Sequence, residues 1–149
     1  MIEVISQLDF RPLAEDDYSF VKDAWMRCFR FGSTLTKEIP SDIYIPRHGA
    51  LIDNLLHRCI TELVCLKEDP ATILGFLVYE RITKLNIIHF IYVKKDFRKM
   101  GLATALIANT KVDPDQSAYT HRTRANLWID ERYPKLIFDP YLIQGESIQ

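Results

Sequence analysis

The sequence predicts a mixed α+β fold: a mostly antiparallel sheet of about six strands flanked by about four helices, in the order β-α-α-β-β-β-α-β-α-β. Two stretches in the first 60 residues repeat apolar side chains at helical spacing. Three apolar runs then follow one another with only short polar turns between them, the pattern of an antiparallel meander. Residues 87–106, IIHFIYVKKDFRKMGLATAL, carry a buried strand through a charged turn into an apolar helix opened by one glycine.

Glu3–Phe10 alternates weakly and reads as a first strand. A polar turn, Arg11–Asp17, follows, and Asp16 or Asp17 is placed to cap the next helix. There Val21, Ala24, Trp25, Cys28 and Phe29 form one buried stripe, and Gly32 stops it. Ser33–Pro46 reads as a long irregular loop, either a surface connection or part of a substrate mouth carrying Tyr44. After Pro46, the spacing of Ile52, Leu55, Leu56, Cys59 and Ile60 predicts a second helix over Arg47–Ile60. Strands are expected at Glu62–Lys67, Thr72–Glu80 and Leu85–Val93, with a hairpin turn at Arg81–Lys84. The Gly101 helix should bury Leu102, Ala105, Leu106 and Ile107 and end near Thr110. A short strand at Ala118–His121, parallel to Leu85–Val93, precedes a helix at Asn126–Arg132 and a last strand at Leu136–Phe138. The tail from Gly145 reads as frayed.

A chain of 149 residues, 48% hydrophobic and 26% charged, is read as a single domain over 1–149 with a real core. Its net charge of −1 gives no global attraction to nucleic acid or anionic membrane. No apolar run approaches membrane-spanning length, and the N-terminal residues lack the basic and small-residue features of a signal peptide. Cys28, Cys59 and Cys65 have no CxxC spacing, which suits reduced thiols in the cytoplasm. No histidine or cysteine spacing indicates a metal. A P-loop and a G-x-S-x-G elbow are both missing.

A strand running into a glycine-opened helix aims free N–H groups at one spot, an arrangement suited to phosphate. Within it, Arg98-Lys99-Met100-Gly101-Leu102-Ala103 resembles the R/Q-x-x-G-x-G/A signature of the GCN5-related N-acetyltransferases (GNAT). The predicted element order also resembles the GNAT fold. Asn126, Tyr133 and Phe138 have the family's C-terminal spacing, although Ile137 stands where a glycine is usual and Pro134 is atypical. The YTHRTR and FDPYLI strings resemble small phage-encoded members, which would act in the host cytoplasm.

The resemblance implies an acetyl-CoA-dependent transfer to a primary amine, on a protein or a small molecule, by direct attack in a ternary complex. It implies a pantetheine site at Ile91, Tyr92 and Val93. It also implies a pyrophosphate loop formed by Arg98, Lys99, Met100, Gly101, Leu102 and Ala103, with Asn126 as a further cofactor contact. A Cβ at Gly101 would hold phosphate away from the backbone. His89 matches a strand histidine of the arylalkylamine N-acetyltransferases and would order the water that takes the amine proton. Its other reading is a hydrogen-bonded core histidine. Tyr133 matches the tyrosine thought to protonate the CoA thiolate. His121, Glu80 and Tyr44 are candidate acceptor contacts. His121-Arg122-Thr123-Arg124 with Lys94 and Lys95 forms a local basic patch, for which the 3′-phosphate of CoA is a simpler partner than nucleic acid. The alternative function is an inactive GNAT-fold scaffold, favoured by Ile137 and Pro134, with a nucleic-acid binder third. An exposed edge strand leaves monomer and homodimer open.

Overall fold

The computed structural model describes residues 7–82 and 85–143. The predicted strand portion at residues 3–6, Thr83 and Lys84 of the predicted hairpin turn, and the tail from Gly145 lie outside them. Strand β1 (Leu8–Pro12) leads through a 3-10 turn into helix α1 (Tyr18–Gly32). Asp17 does not cap α1. Its carboxylate accepts from Ala14 N–H at 2.9 Å and pairs with Arg11 at 2.6 Å, pinning the turn to β1 instead. The predicted stripe holds: Val21, Ala24 and Trp25 are buried, and Cys28 and Phe29 are half-buried. Gly32 is the last residue of α1, and a Cβ there would lie 3.1 Å from Thr123 Cβ, so contact is what a side chain would disturb.

The long loop expected over Ser33–Pro46 is corrected. Helix α2 spans Ser41–Arg58 and takes Pro46 into its interior. A proline there forfeits one backbone hydrogen bond, normally a cost of about 3 kcal/mol. The first turn is held nonetheless, because Ile43 and Tyr44 N–H bond Pro40 O at 3.0 and 2.9 Å. Tyr44 is also buried, with its hydroxyl donating to Met26 O at 2.7 Å.

Strands β2 (Ile60–Leu66), β3 (Ile73–Ile82) and β4 (Leu85–Val93) form the predicted meander; Arg81 and Ile82 belong to β3 rather than to a turn. Helix α3 (Leu102–Thr110), strand β5 (Ser117–Tyr119), helix α4 (Trp128–Arg132) and strand β6 (Ile137–Phe138) complete the element order. A 3-10 turn at Arg124–Asn126 occupies the start of the helix predicted at Asn126. The six strands form one sheet in sequence order. Pairs β1–β2, β2–β3 and β3–β4 are antiparallel, whereas β4–β5 and β5–β6 are parallel. Helices α1 and α2 pack Trp25, Ile52 and Leu55 against Phe76, Val78 and Phe90 on one face. On the other face, Leu102, Leu106 and Ile129 of α3 and α4 cover Leu77, Ile88 and Ile91. No helix among the described residues is long and apolar enough to cross a membrane.

Two irregularities shape the sheet around β4. Val78 pairs with Phe90 and Tyr79 with Ile88, so His89 is an extra residue, a β-bulge in β4. Pairing of β4 with β5 covers only Asn86, Ile87 and Ile88, apart from one Thr120 N–H bond to Ile88 O at 3.1 Å. Beyond the bulge the two strands part.

Candidate active site

The gap between the parted strands is a cavity of about 610 Å³. Ile91, Tyr92 and Val93 of β4, Arg98, Lys99 and Gly101 of the following turn, and Leu102 and Ala103 of α3 line it, with Asn126 opposite. These are positions to which the resemblance points; Met100 is not on the wall. Thr123 and Arg124 of the predicted basic patch line it as well, whereas Cys28, Phe90 and Trp128 on the wall escaped sequence reasoning, because they come from distant segments without a motif.

The turn before α3 is strained in a useful way. Gly101 sits at φ 84° and Lys99 at φ 64°, both left-handed, and the Gly101 conformation suits glycine. A Cβ on Gly101 would meet no protein atom within 4 Å, so backbone conformation and the open cavity, rather than packing, call for glycine there. The first bond at the start of α3 runs from Ala105 N–H to Gly101 O at 2.9 Å. The preceding amides of Leu102, Ala103 and Thr104 are therefore the free donors of a helix start that has no side-chain cap and no acid in its first turn. Arg98, Lys99 and Arg124 bring three cations to the wall, against no carboxylate among its described lining residues.

Two carbonyls of the unpaired strand end are already engaged. Asn126 Nδ2 donates to Ile91 O at 3.0 Å, and Arg98 Nε donates to Val93 O at 2.9 Å. Asn126 thus ties the 3-10 turn before α4 across the gap. The basic patch read at 121–124 is taken apart: His121 and Thr123 are buried, and Arg122 pairs with Asp130 at 3.0 Å over the Phe138 ring. Thr123 Oγ1 has no hydrogen-bond partner among the described residues and lies on the cavity wall.

Behind Phe90, three residues singled out in the sequence join one hydrogen-bonded chain. His89 is fully buried, with Nε2 2.6 Å from Glu80 Oε2 and Nδ1 2.9 Å from Thr120 Oγ1. Thr120 Oγ1 lies 2.9 Å from His121 Nδ1, and His121 Nε2 lies 3.1 Å from Nε2 of His48 on α2. Trp25, Phe29 and Phe90 pack around His121. Burial works to raise the Glu80 carboxyl, but hydrogen bonds from His89, Cys59 and Arg58 outweigh it and hold it at about 2. Burial lowers His89, with Glu80 opposing; burial and its two histidine neighbours keep His121 well below the ordinary range. Burial also takes His48 down to about 4. All three imidazoles are neutral at pH 7.

His89 therefore has no nitrogen free for an amine, and His121 and Glu80 are held inside the protein rather than offered to an acceptor. Tyr44 stacks on His48 with ring centroids 5.2 Å apart, and it lines a smaller cavity of about 340 Å³ between α1 and α2 with Lys22, Met26 and Arg30. Tyr133 ends α4, where its ring packs 6.4 Å from Trp128; Tyr92, whose phenol burial pushes up, is the tyrosine on the wall of the larger cavity. Cys59, Glu80 and His89 bring three donor atoms within 4.8 Å of one another. Arg58 Nη1 rests 2.7 and 2.6 Å from the two Glu80 oxygens, and the Cys59 thiol is pushed up to about 12 by burial and by Glu80. That trio is organised as a hydrogen-bonded ion pair, unfavourable to a cation.

A model of the Acetyltransferase (GNAT) family matches residues 18–112. Among solved structures, the chain resembles a GCN5-related N-acetyltransferase from Ralstonia eutropha JMP134, with 18% identity and TM-score 0.59 over 84% of this chain and 90% of that one. It also resembles AAC(6')-Iy in complex with the bisubstrate analogue CoA-S-monomethyl-acetylneamine, with 15% identity and TM-score 0.52 over 89% and 90%. The PaiA N-acetyltransferase from Thermoplasma acidophilum, in complex with coenzyme A, matches with 14% identity and TM-score 0.51 over 70% and 69%. A search of curated proteins finds no match. At these identities the structural likeness speaks for the fold, and the family match covers well over half of the chain: the chain belongs to the GNAT family of acetyltransferases.

Proposed function

We propose that this protein binds acetyl-CoA in the gap between β4 and β5 and transfers its acetyl group to a primary amine by direct attack in a ternary complex. One observation carries the reading: the cavity joins free α3 amides and three cations at one end to parted strands lined by apolar side chains at the other. That polarity fits a ligand with a pyrophosphate and an uncharged thioester arm. Coenzyme A and a CoA-containing analogue in two of the matched structures support the same ligand class.

In this reading the α3 amides and Arg98 hold the pyrophosphate, and Arg124 is available to the 3′-phosphate. The β4 edge aligns the pantetheine arm. The amine nitrogen forms a bond to the acetyl carbonyl carbon and gives up a proton to water, the C–S bond breaks, and the departing thiolate takes a proton from a tyrosine that regains it from water. Tyr133 is the candidate by family spacing. None of the three free cysteines is given a covalent role, and their reduced state suits a cytoplasmic enzyme.

Calorimetry with acetyl-CoA on the wild type and on Gly101→Glu tests the site. Binding in the micromolar range by the wild type, abolished in a folded Gly101→Glu, is expected. Absence of binding to well-folded wild type would overturn the enzyme reading and favour a GNAT-fold scaffold.

A further inference from the structure

The buried polar chain has one consistent set of protons, and it leads away from His89. The Glu80 carboxylate is ionised and only accepts, so the His89 nitrogen beside it, Nε2, carries the hydrogen. His89 Nδ1 is then an acceptor and takes the Thr120 hydroxyl proton. With its only hydrogen given to His89, Thr120 Oγ1 accepts from His121 Nδ1–H. His121 Nε2 becomes an acceptor and receives Nε2–H of His48. Every donor in the chain points toward Glu80. The lone pair left over is on Nδ1 of His48, a half-buried residue for which no further hydrogen bond is found among the described residues.

We propose that Glu80, His89, Thr120 and His121 form a polarised wire that fixes the tautomer of His48 and leaves its Nδ1 lone pair as the wire's open acceptor for a proton. Its catalytic use rests on the acetyl-transfer reading above; the wire itself does not. A proton arriving at His48 Nδ1 releases the one on Nε2 to His121. His121 passes its Nδ1 proton to Thr120, and Thr120 passes its hydroxyl proton to His89. One proton enters, four groups exchange donor and acceptor roles, and the positive charge rests on His89 against the Glu80 carboxylate. Reversal of the same shift restores the starting state. The four wire residues are positioning residues, and Phe29 and Tyr44 each stack on the His48 ring, with centroids 4.9 and 5.2 Å away.

The protein has four histidines, so nitrogen NMR on 15N-histidine protein can assign every ring. A free imidazole side chain favours its Nε2–H form, so the diagnostic ring is His121, which the wire holds as Nδ1–H. We expect His121 in the Nδ1–H form and His48 and His89 as Nε2–H, each by roughly tenfold, the preference about one hydrogen bond supports. Thr120→Val should reverse both His121 and His48, because His121 then donates from Nε2. Thr120→Ser should restore the wild-type pattern, and His57, bonded to its own helix at Asp53 O, should not change. His121 found as Nε2–H in the folded wild type would overturn the proposal whether or not Thr120→Val folds, and so would a Thr120→Val spectrum with unchanged tautomers. Failure of the wild type to bind acetyl-CoA, with His121 still Nδ1–H, would instead remove the acetyl-transfer reading and leave the wire standing.

Discussion

Mild acid should destabilise this fold through its histidines before its paired carboxylates titrate. Burial carries His48 from an ordinary 6.5 to about 4. Between those values the unfolded chain takes up a proton that the folded protein refuses, so this contribution is complete above pH 6.5 and is lost as pH falls toward 4. At about 1.4 kcal/mol per pH unit, His48 alone accounts for roughly 3 kcal/mol. His121 and His89, lowered by burial as well, add in the same direction. Asp17 and Asp53 lie below their usual range and respond at lower pH, while burial raises Glu62 and gives a smaller opposing effect. The loss is a sizeable fraction of the ~5–15 kcal/mol that holds a domain folded. Urea unfolding followed by circular dichroism at several pH values between about 7 and about 4.5 measures it. The midpoint should fall as pH drops below about 6.5, and His48→Gln should remove close to one proton from the slope even if it lowers stability at neutral pH. A midpoint that stays level from pH 7 to about 5 would refute the claim that these rings are buried and neutral.

Three further outcomes follow from contacts described above. Gly75→Ala would put a Cβ 2.5 Å from Tyr92 O, so strand β3 must shift, and about 1–3 kcal/mol of stability should be lost in thermal unfolding. Asn126→Ala removes the tie to Ile91 O and should weaken acetyl-CoA binding by roughly fivefold, the equivalent of one neutral hydrogen bond, in the same calorimetric assay. With the first amine found to be acetylated, Tyr133→Phe should lower kcat while leaving the KM for acetyl-CoA unchanged. If Tyr92→Phe produces that effect instead, thiolate protonation belongs to the tyrosine on the cavity wall.

The meander, the Gly101 helix and the parallel short strand were legible because each depends on local signals: apolar runs, short turns and a single glycine. Helix α2 was legible only from its middle onward. Pro46 argued for a helix start, whereas the anchoring that offsets it, Tyr44 against Met26 O, joins residues 18 positions apart. His48 fell in the first turn of the predicted helix, where nothing in the local pattern marked it as more than a helix residue. The His89 bulge left no trace either, since IIHFIY is apolar on both faces and offers no alternation to interrupt. Glu80, His89 and His121 could be named singly, but their order in one chain depends on strand register and on Thr120, a residue type with no distinctive spacing.

The bulge also separates what the two cores require from what the buried hydrogen-bonded chain requires. Ile88 and Ile91 pack toward α3 and α4, while Phe90 packs toward α1 and α2. Removing residue 89 would leave Ile88 and Phe90 adjacent and on opposite faces, as ordinary alternation demands. Their partners on β3, Tyr79 and Val78, are already consecutive. A chain one residue shorter could therefore keep both cores and an unbroken β3–β4 ladder, yet it would lack the imidazole between Glu80 and Thr120 and the irregularity at which β4 leaves β5. Substitutions at this position alter a side chain, whereas a single deletion would turn the strand into plain scaffold.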